Sequence, residues 1–363
     1  MSSDVTQVRI VGAGLIGTSL GIALSRNGFS TSLSDPSPTA VGLARDLGAG
    51  VIAEESGAEP DLVVVAAPPD VAAQVVLEQL EQWPSAVVTD VASVKGAVLD
   101  AVADGGGDLA RYVGSHPMAG RERSGAMAAR GDLFEGRAWV VVPSPASTPA
   151  AVDLVRLVAE AAGAAVSVMG SAEHDDAVAV VSHVPQVAAS LVASRLRDLP
   201  ERAVALAGQG LRDVTRIAAS DARLWTQILA GNSAAVRDEL TALREDLDEV
   251  IGALDALATG EGVGALEVLG RTVVNGNDGV ARIPGKHGAA PTAYTTVVVV
   301  VPDRPGALGQ LFTDMGEAGI NLEDLRLEHG LGQPFGLAEV SVVPAAAEPL
   351  REALDQRGWR VHD

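Results

Sequence analysis

The run QVRIVGAGLIGTSLGIALSRNG, residues 7 to 28, constrains the fold more than any other part of the chain. A β-branched stretch breaks at Gly12, and from Leu15 apolar residues recur at helical spacing until Gly28, which reads as strand, tight turn and helix. Gly12, Gly14 and Gly17 stand at G-x-G-x-x-G in that context. There the turn and the first helical residues, Leu15 and Ile16, present backbone N–H groups and a positive dipole end to a pyrophosphate. A second strand-like segment, STSLSD, ends in Asp35, about 20 residues further on, where a carboxylate accepts from both ribose hydroxyls and repels a 2′-phosphate. No Arg immediately follows, so the pattern favours NAD over NADP. The alternative for Asp35 is an exposed residue opening a turn before Pro36.

Strand and helix then alternate. DLVVVAAPP (61–69) is the continuous apolar run of a parallel strand buried on both faces, and SAVVTDVASVKG (85–96) repeats it. Ligands of open α/β sheets lie outside the carboxyl ends of the strands. That rule puts Ala67, Pro68, Pro69, Asp90, Ser93 and Lys95 on the cofactor side. Ser93 also reads as an N-cap for the helix beginning near Lys95, and Lys95 as a solvated first-turn residue. The strands AWVVVP and AAVSVMG complete a Rossmann-type α/β domain over 1–170.

Within it, YVGSHPMAGRERSG (112–125) ends an apolar run in glycine, one histidine and proline. Pro117 disfavours helical dihedrals at His116, which predicts an extended imidazole just beyond a strand end. His titrates near neutral pH, so His116 is a candidate general base, the alternative being a satisfied turn residue.

Composition narrows the function classes. The chain has 363 residues, 47% of them hydrophobic, enough for two or three domains with buried cores. Cysteine is absent and the six histidines form no paired ligand motif, which argues against thiol chemistry, disulfides and a His-based metal site. A formal charge of −21 with no basic stripe argues against nucleic acid. The N-terminus has no secretory pattern, and no uncharged stretch of about 18 apolar residues is apparent, so the expectation is a cytoplasmic protein with no membrane partner.

From 171 to 269 the apolar spacing turns helical, with more apolar face than one small domain needs, which predicts an all-α dimerisation domain. Two places in it are candidates for chemistry. SHVPQ puts His183, Pro185 and Gln186 into an apolar helix, which costs stability unless something uses them. GLRDVTRIAASDARLW (210–225) offers Arg212 and Arg216 one helical turn apart, with Ser220 and Asp221 ending one helix and capping the next, and then Trp225. Arg clamps carboxylates bidentately, so one of the two arginines suits an acidic substrate while the other pairs with Asp213 or a nearby acid.

Residues 270–293 are rich in Gly, Pro and Asn and read as a linker. From 294 to 363 the order strand, helix, strand, strand, helix, strand is ferredoxin-like.

GSHPMAGRERSG, with the dinucleotide fingerprint before it and GLRDVTRIAASD after it, resembles the prephenate and arogenate dehydrogenases. DRPGALGQLF with GINLEDL resembles ACT regulatory domains. The first resemblance spans nearly the whole chain. It implies NAD-dependent oxidative decarboxylation of prephenate, with arogenate as the alternative substrate. His116 takes the proton of the ring hydroxyl, Ser93 hydrogen-bonds His116 and that hydroxyl, and Arg216 holds a carboxylate. Glu122 belongs to a polar network at the substrate entrance, and His183, Gln186, Arg212 and Trp225 line the substrate side. Family members often carry a second His where this chain has Gln186, a departure that leaves keto or amino substrate open. The ACT resemblance implies an aromatic amino-acid effector contacted near Asp303, Gly306 and Asn321, between paired copies, or else a purely dimerising module. Rivals are a β-hydroxyacid or imine reductase, against which the SHPxxG, TRI and ACT combination speaks, and a non-catalytic NAD and amino-acid sensor, against which the presence of Ser93, His116 and Arg216 speaks.

Overall fold

The computed structural model describes residues 6–53, 58–120, 125–260, 262–283, 294–329 and 334–362. The chain forms two compact units, residues 1–246 and 247–363.

The first unit is built on a sheet. Strand β1 (Gln7–Val11) leads through the glycine turn into helix α1 (Leu15–Arg26), followed by β2 (Ser30–Ser34), α2 (Pro38–Asp46), β3 (Val51–Ile52), β4 (Leu62–Val65), α3 (Pro69–Gln82), β5 (Val87–Asp90) and α4 (Gly96–Asp104). The five strands are parallel in the order β3-β2-β1-β4-β5. The order therefore reverses between β1 and β4, the place where such sheets open a crevice for a ligand.

Successive residues of β4 point to opposite faces. Leu62 and Val64 join a core with α1, α2 and the later helix α5, while Val63 and Val65 join one with α3 and α4. All four are buried, which is why the segment reads as an unbroken apolar run.

Beyond β5 a single parallel bridge between Val88 and Tyr112 leads to β6 (Val113–Pro117). Then come β7 (Ala138–Pro143), antiparallel to β6, helix α5 (Pro149–Ala161) and β8 (Ala165–Val168), parallel to β7. His116 is paired with Val140 inside β6, so it lies within the strand rather than past its end.

The helical part begins with α6 (Ser171–Val178), a π turn (Ala179–His183) and α7 (Val184–Ser194). Pro185 has no N–H to give the preceding turn, and the wider π turn just before it absorbs the mismatch without ending the helix. By length and composition the continuous helix Ser171–Ser194 is apolar enough to cross a membrane, which the sequence reading did not anticipate. Its His174, Asp175, His183 and Gln186 are instead buried within the unit. Next come α8 (Glu201–Val204), α9 (Gln209–Thr215), a 3-10 turn (Arg216–Ala218), α10 (Ala222–Gly231) and α11 (Ser233–Thr259). Asp221 caps α10 through Leu224 N at 2.8 Å, as the sequence predicts.

In the second unit α12 spans Ala265–Val280, so the first part of the segment expected to be a linker is helix. The glycines of LEVLGRTVVNGNDGV are outweighed there by an apolar period running through Leu266, Leu269, Val273 and Val280. Residues 284–293 lie outside the described residues.

The remainder is β9 (Thr295–Pro302), α13 (Ala307–Glu317), β10 (Asp324–His329), β11 (Phe335–Val342), α14 (Pro344–Gln356) and β12 (Arg360–His362). They form an antiparallel sheet ordered β10-β11-β9-β12, with Val297, Val299, Ala338 and Val340 packed under Leu311, Leu350 and Leu354 of the two helices. The element order is the one read from the sequence.

Candidate active site

The glycine turn has the shape a dinucleotide requires. Gly12 sits at φ +113°, and a Cβ there would lie 2.3 Å from the carbonyl oxygen of Ala66 at the exit of β4. A Cβ on Gly17 would lie 2.0 Å from the Gly12 carbonyl oxygen, so this glycine lets α1 press against the turn. Gly14 differs: nothing stands within 4 Å of its would-be Cβ, which leaves the helix N-terminus open for a pyrophosphate. Leu15 and Ile16 form the first turn of α1, and half-buried Ala67 and exposed Pro68 follow β4 on the other lip of the crevice. The Asp35 carboxylate accepts from Ala13 N and Ser37 N, each at 2.8 Å, which holds it beside the turn. Asp35 is thus tied both to the glycine turn and to the turn that begins at Pro36.

His116 is 8% exposed. Its Nδ1 lies 2.9 Å from Nε2 of His174, whose Nδ1 lies 2.7 Å from Oδ1 of Asp175. The Asp175 carboxylate also accepts the amides of Lys95 at 2.9 Å and Gly96 at 2.8 Å, which caps α4. Burial alone raises this carboxyl. The His174 and backbone hydrogen bonds outweigh that effect and take it below the usual carboxylate value. The His116 imidazole is pushed well below 6.5, first by burial and then by repulsion from His174, Lys95 and His183. Its resting form is therefore the neutral one, a free base.

Beneath the strand lies a second polar group. Lys95 is 1% exposed; its Nζ pairs with the Asp90 carboxylate and donates to the Ser115 carbonyl at 2.8 Å. The Tyr112 hydroxyl donates to Asp90 Oδ2 at 2.7 Å, and burial pushes that phenol well above 10. This network fixes the backbone immediately before His116.

On the helical side, His183 is buried and accepts at Nδ1 from Asn232 Nδ2 at 3.2 Å, while the same amide donates to the Asp175 carbonyl at 2.7 Å. Its ring meets Trp225 edge-on, centroids 6.1 Å apart. Burial lowers the His183 pKa. Gln186 is buried, with Oε1 3.3 Å from the Ser220 hydroxyl and Nε2 3.4 Å from Ser190 Oγ. The contact with Ser220 brings the segment after Arg216 against α7.

The chain is also similar to known enzymes. Residues 20–168 match the family described as "Prephenate dehydrogenase, nucleotide-binding domain", and residues 170–261 match "Prephenate dehydrogenase, dimerization domain". A "Probable prephenate dehydrogenase NovF" of Streptomyces niveus is 39% identical over 96% of this chain and 98% of its own. The chain belongs to the prephenate dehydrogenase family. The prephenate dehydrogenase of Bacillus subtilis is 30% identical over 88% of this chain and 87% of its own. The structure of Aquifex aeolicus prephenate dehydrogenase in complex with hydroxyphenyl propionate and NAD+ aligns with TM-score 0.65 at 28% identity, over 76% of this chain and 99% of that one.

Within this member of the prephenate dehydrogenase family several sequence expectations change. His174, not Ser93, holds His116 Nδ1; Ser93 is half-buried in the turn after β5 and makes no hydrogen bond to His116. Nor does Ser93 cap α4, since the Asp175 carboxylate takes that place. Lys95 is a buried cation, not a solvated one, because Asp90 sits within reach at the end of β5. Asp213 accepts from Gln209 Nε2 at 2.8 Å, one turn back on the same helix. Arg212 and Arg216 are both exposed, at the end of α9 and on the following 3-10 turn. Glu122 lies outside the described residues. Asp303 and Gly306 line a cavity of about 150 Å³ with Arg304 and Leu327, whereas Asn321 is not among its lining and donates to Glu323 at 3.3 Å.

His174, Asp175 and Asn232 were not legible in the sequence. A histidine followed by two acids at a helix start is ordinarily solvated, and nothing in the spacing ties residue 174 to residue 116.

Proposed function

We propose that this chain oxidises and decarboxylates prephenate to 4-hydroxyphenylpyruvate with NAD as hydride acceptor. The carrying observation is the neutral, buried His116 on β6, the strand that follows β5 beyond the Val88–Tyr112 bridge, with its Nδ1 already engaged by His174. The fit of the cofactor rests on Gly14, where the space a Cβ would fill is open, and on Asp35, whose fixed carboxylate suits an unphosphorylated ribose. When bound, NAD supplies the hydride acceptor. The residues of this chain do the rest: His116 takes the hydroxyl proton at Nε2 as the C–H bond on the same carbon breaks. Arg216 holds a substrate carboxylate, with Ser93 at the hydroxyl, Glu122 at the entrance, and Arg212 and Trp225 on the substrate side. Loss of carbon dioxide returns the bond electrons to the ring, which becomes aromatic, so the protein's task is positioning and proton removal.

The exposed Val180, Val181 and Leu191 on the π turn and α7 support pairing with a second copy through the helical region. The C-terminal unit's β-α-β-β-α-β order and the cavity at Asp303 and Gly306 support an ACT domain that takes an aromatic amino acid between paired copies, with Asn321 reaching the ligand from the facing loop.

The test is initial production of reduced cofactor by the purified protein on prephenate and on arogenate, each with NAD and NADP. Turnover of prephenate with NAD is expected. Turnover of arogenate alone keeps the chemistry and reassigns the substrate, a reading that Gln186, an uncharged amide, also accommodates. Turnover of neither defeats the proposal.

A further inference from the structure

With both imidazoles neutral, the hydrogen-bond chain behind His116 has one consistent assignment of protons. Asp175 accepts two backbone amides, so its carboxylate is ionised and can only accept from His174. His174 therefore carries its proton on Nδ1, and in the neutral ring Nε2 is a lone pair. His116 must then donate to it from Nδ1, which leaves the lone pair of His116 on Nε2.

We propose that His174 and Asp175 are positioning residues that form with His116 a closed proton relay, holding the substrate proton inside the protein for the duration of each turnover. The inference rests on the reaction proposed above. The substrate O–H bond breaks and an Nε2–H bond forms on His116. The Nδ1–H bond of His116 then breaks as Nε2–H forms on His174, which leaves the positive charge on His174 against the Asp175 carboxylate.

The balance of the reaction explains why the base can be so well buried. Prephenate loses one hydride to the cofactor and one molecule of carbon dioxide; the hydroxyl proton taken at the start is needed again by the phenolate at the end. No net proton leaves the site, so no solvent path is required. His174 is 0% exposed and His116 8% exposed, consistent with a proton that goes out along the chain and returns.

The relay also meets a difficulty that His116 would face alone. A buried imidazole surrounded by Lys95, His183 and His174 is a poor place for a positive charge. Among the groups facing the relay, the Asp90 carboxylate is already committed to Lys95 and Tyr112, and the pKa of His183, which accepts from Asn232, is lowered by burial. Asp175 is the carboxylate in contact with the chain, and it touches His174, not His116. Moving the charge by one imidazole places it where the countercharge is.

The test compares His174→Gln with His174→Phe in the full-length protein. A Gln side chain can still accept from His116 Nδ1–H but cannot carry the proton onward. The expected result for His174→Gln is a fall in kcat of about 10²-fold with KM within about twofold. The proton inventory of hydride transfer in H2O/D2O mixtures should change from bowed in the wild type, with two protons in flight, to linear. His174→Phe should lose more, because the tautomer of His116 is no longer fixed. Wild-type kcat and a bowed inventory in His174→Gln would overturn the relay. A second measurement needs no turnover: ring nitrogen NMR of histidine-labelled protein near pH 8 should show Nε2 of His116 unprotonated. A protonated Nε2 there overturns the assignment even if neither prephenate nor arogenate proves to be the substrate.

Discussion

His174 Nε2 lies 2.9 Å from His116 Nδ1 although the residues are 58 positions apart, one on the fourth residue of β6 and the other in the first turn of α6. Strand β6 supplies His116 and the helical region supplies the imidazole that orients it. The site therefore depends on both halves of the first unit being folded together.

The first expectation concerns pH. The His116 pKa is held well below 6.5, so the acid limb of kcat/KM should fall below pH 6.5 and vanish in His116→Asn, whose kcat should drop about 10²-fold or more. Stability follows the same group. Below pH 6.5 the unfolded chain binds a proton that folded His116 refuses, so stability is full above that pH and declines on acidification toward the folded pKa. Urea midpoints from pH 8 to 5 should fall less in His116→Asn than in the wild type. Equal slopes for both proteins would count against burial as the cause.

Lys95 and Asp90 form an ion pair 1% and 0% exposed. Removing one partner strands the other charge in the core. Lys95→Met should cost about 3–5 kcal/mol in urea unfolding, and Lys95→Met with Asp90→Asn together distinctly less. Additive losses in the double variant would show that the pair does not act as a unit.

How much of this was legible depended on whether the signal was local. The glycine turn, Asp35, the alternating strands and helices and the cap at Asp221 are set by neighbouring residues, and the sequence carries them plainly. The extended backbone at His116 was legible because Pro117 restricts it, although the residue lies inside β6 and not past its end. Its partner was not, because a hydrogen bond across 58 residues leaves no periodicity to read. Lys95 was misread for a related reason: a lysine in a first helical turn is solvated unless the fold brings a carboxylate beneath it, and Asp90 does so only once β5 and α4 are joined. The helix over Ala265–Val280 was hidden by composition, its glycines masking a sustained apolar period.

Asp35 offers a cofactor prediction. Its carboxylate is fixed by Ala13 N and Ser37 N with lone pairs to spare. A hydrogen bond to a charged group contributes about 1.5–3 kcal/mol, so Asp35→Asn should raise KM for NAD by about tenfold or more and narrow the gap to NADP. An unchanged NAD/NADP ratio would remove Asp35 from the ribose.

Arg216 stands on the 3-10 turn just before Ser220, which touches Gln186. If it binds a substrate carboxylate in ground state and transition state alike, Arg216→Ala should raise KM for prephenate well over tenfold with kcat little changed. A fall in kcat at constant KM would place Arg216 at the reacting centre instead.

In the proposed site Gln186 faces the substrate side chain, where its uncharged amide accommodates either substrate. It is buried, and its amide faces Ser220 and Ser190, so whatever replaces it must work in a site with little water to screen it. The side chain of prephenate ends in a keto acid and that of arogenate in an ammonium and a carboxylate. An amide donates to one and accepts from the other. Gln186→His introduces a ring that, when protonated, attracts the keto acid's carboxylate and repels the ammonium, a penalty on the wrong substrate as well as a gain for the right one. The ratio of kcat/KM for prephenate over arogenate should then rise about tenfold or more at pH 6, equivalent to about 1.4 kcal/mol, and shrink toward pH 8 as the new imidazole loses its charge. A ratio that does not move with pH would place Gln186 away from the substrate side chain and leave its hydrogen bond to Ser220 as a purely structural tie between α7 and the segment that carries Arg216.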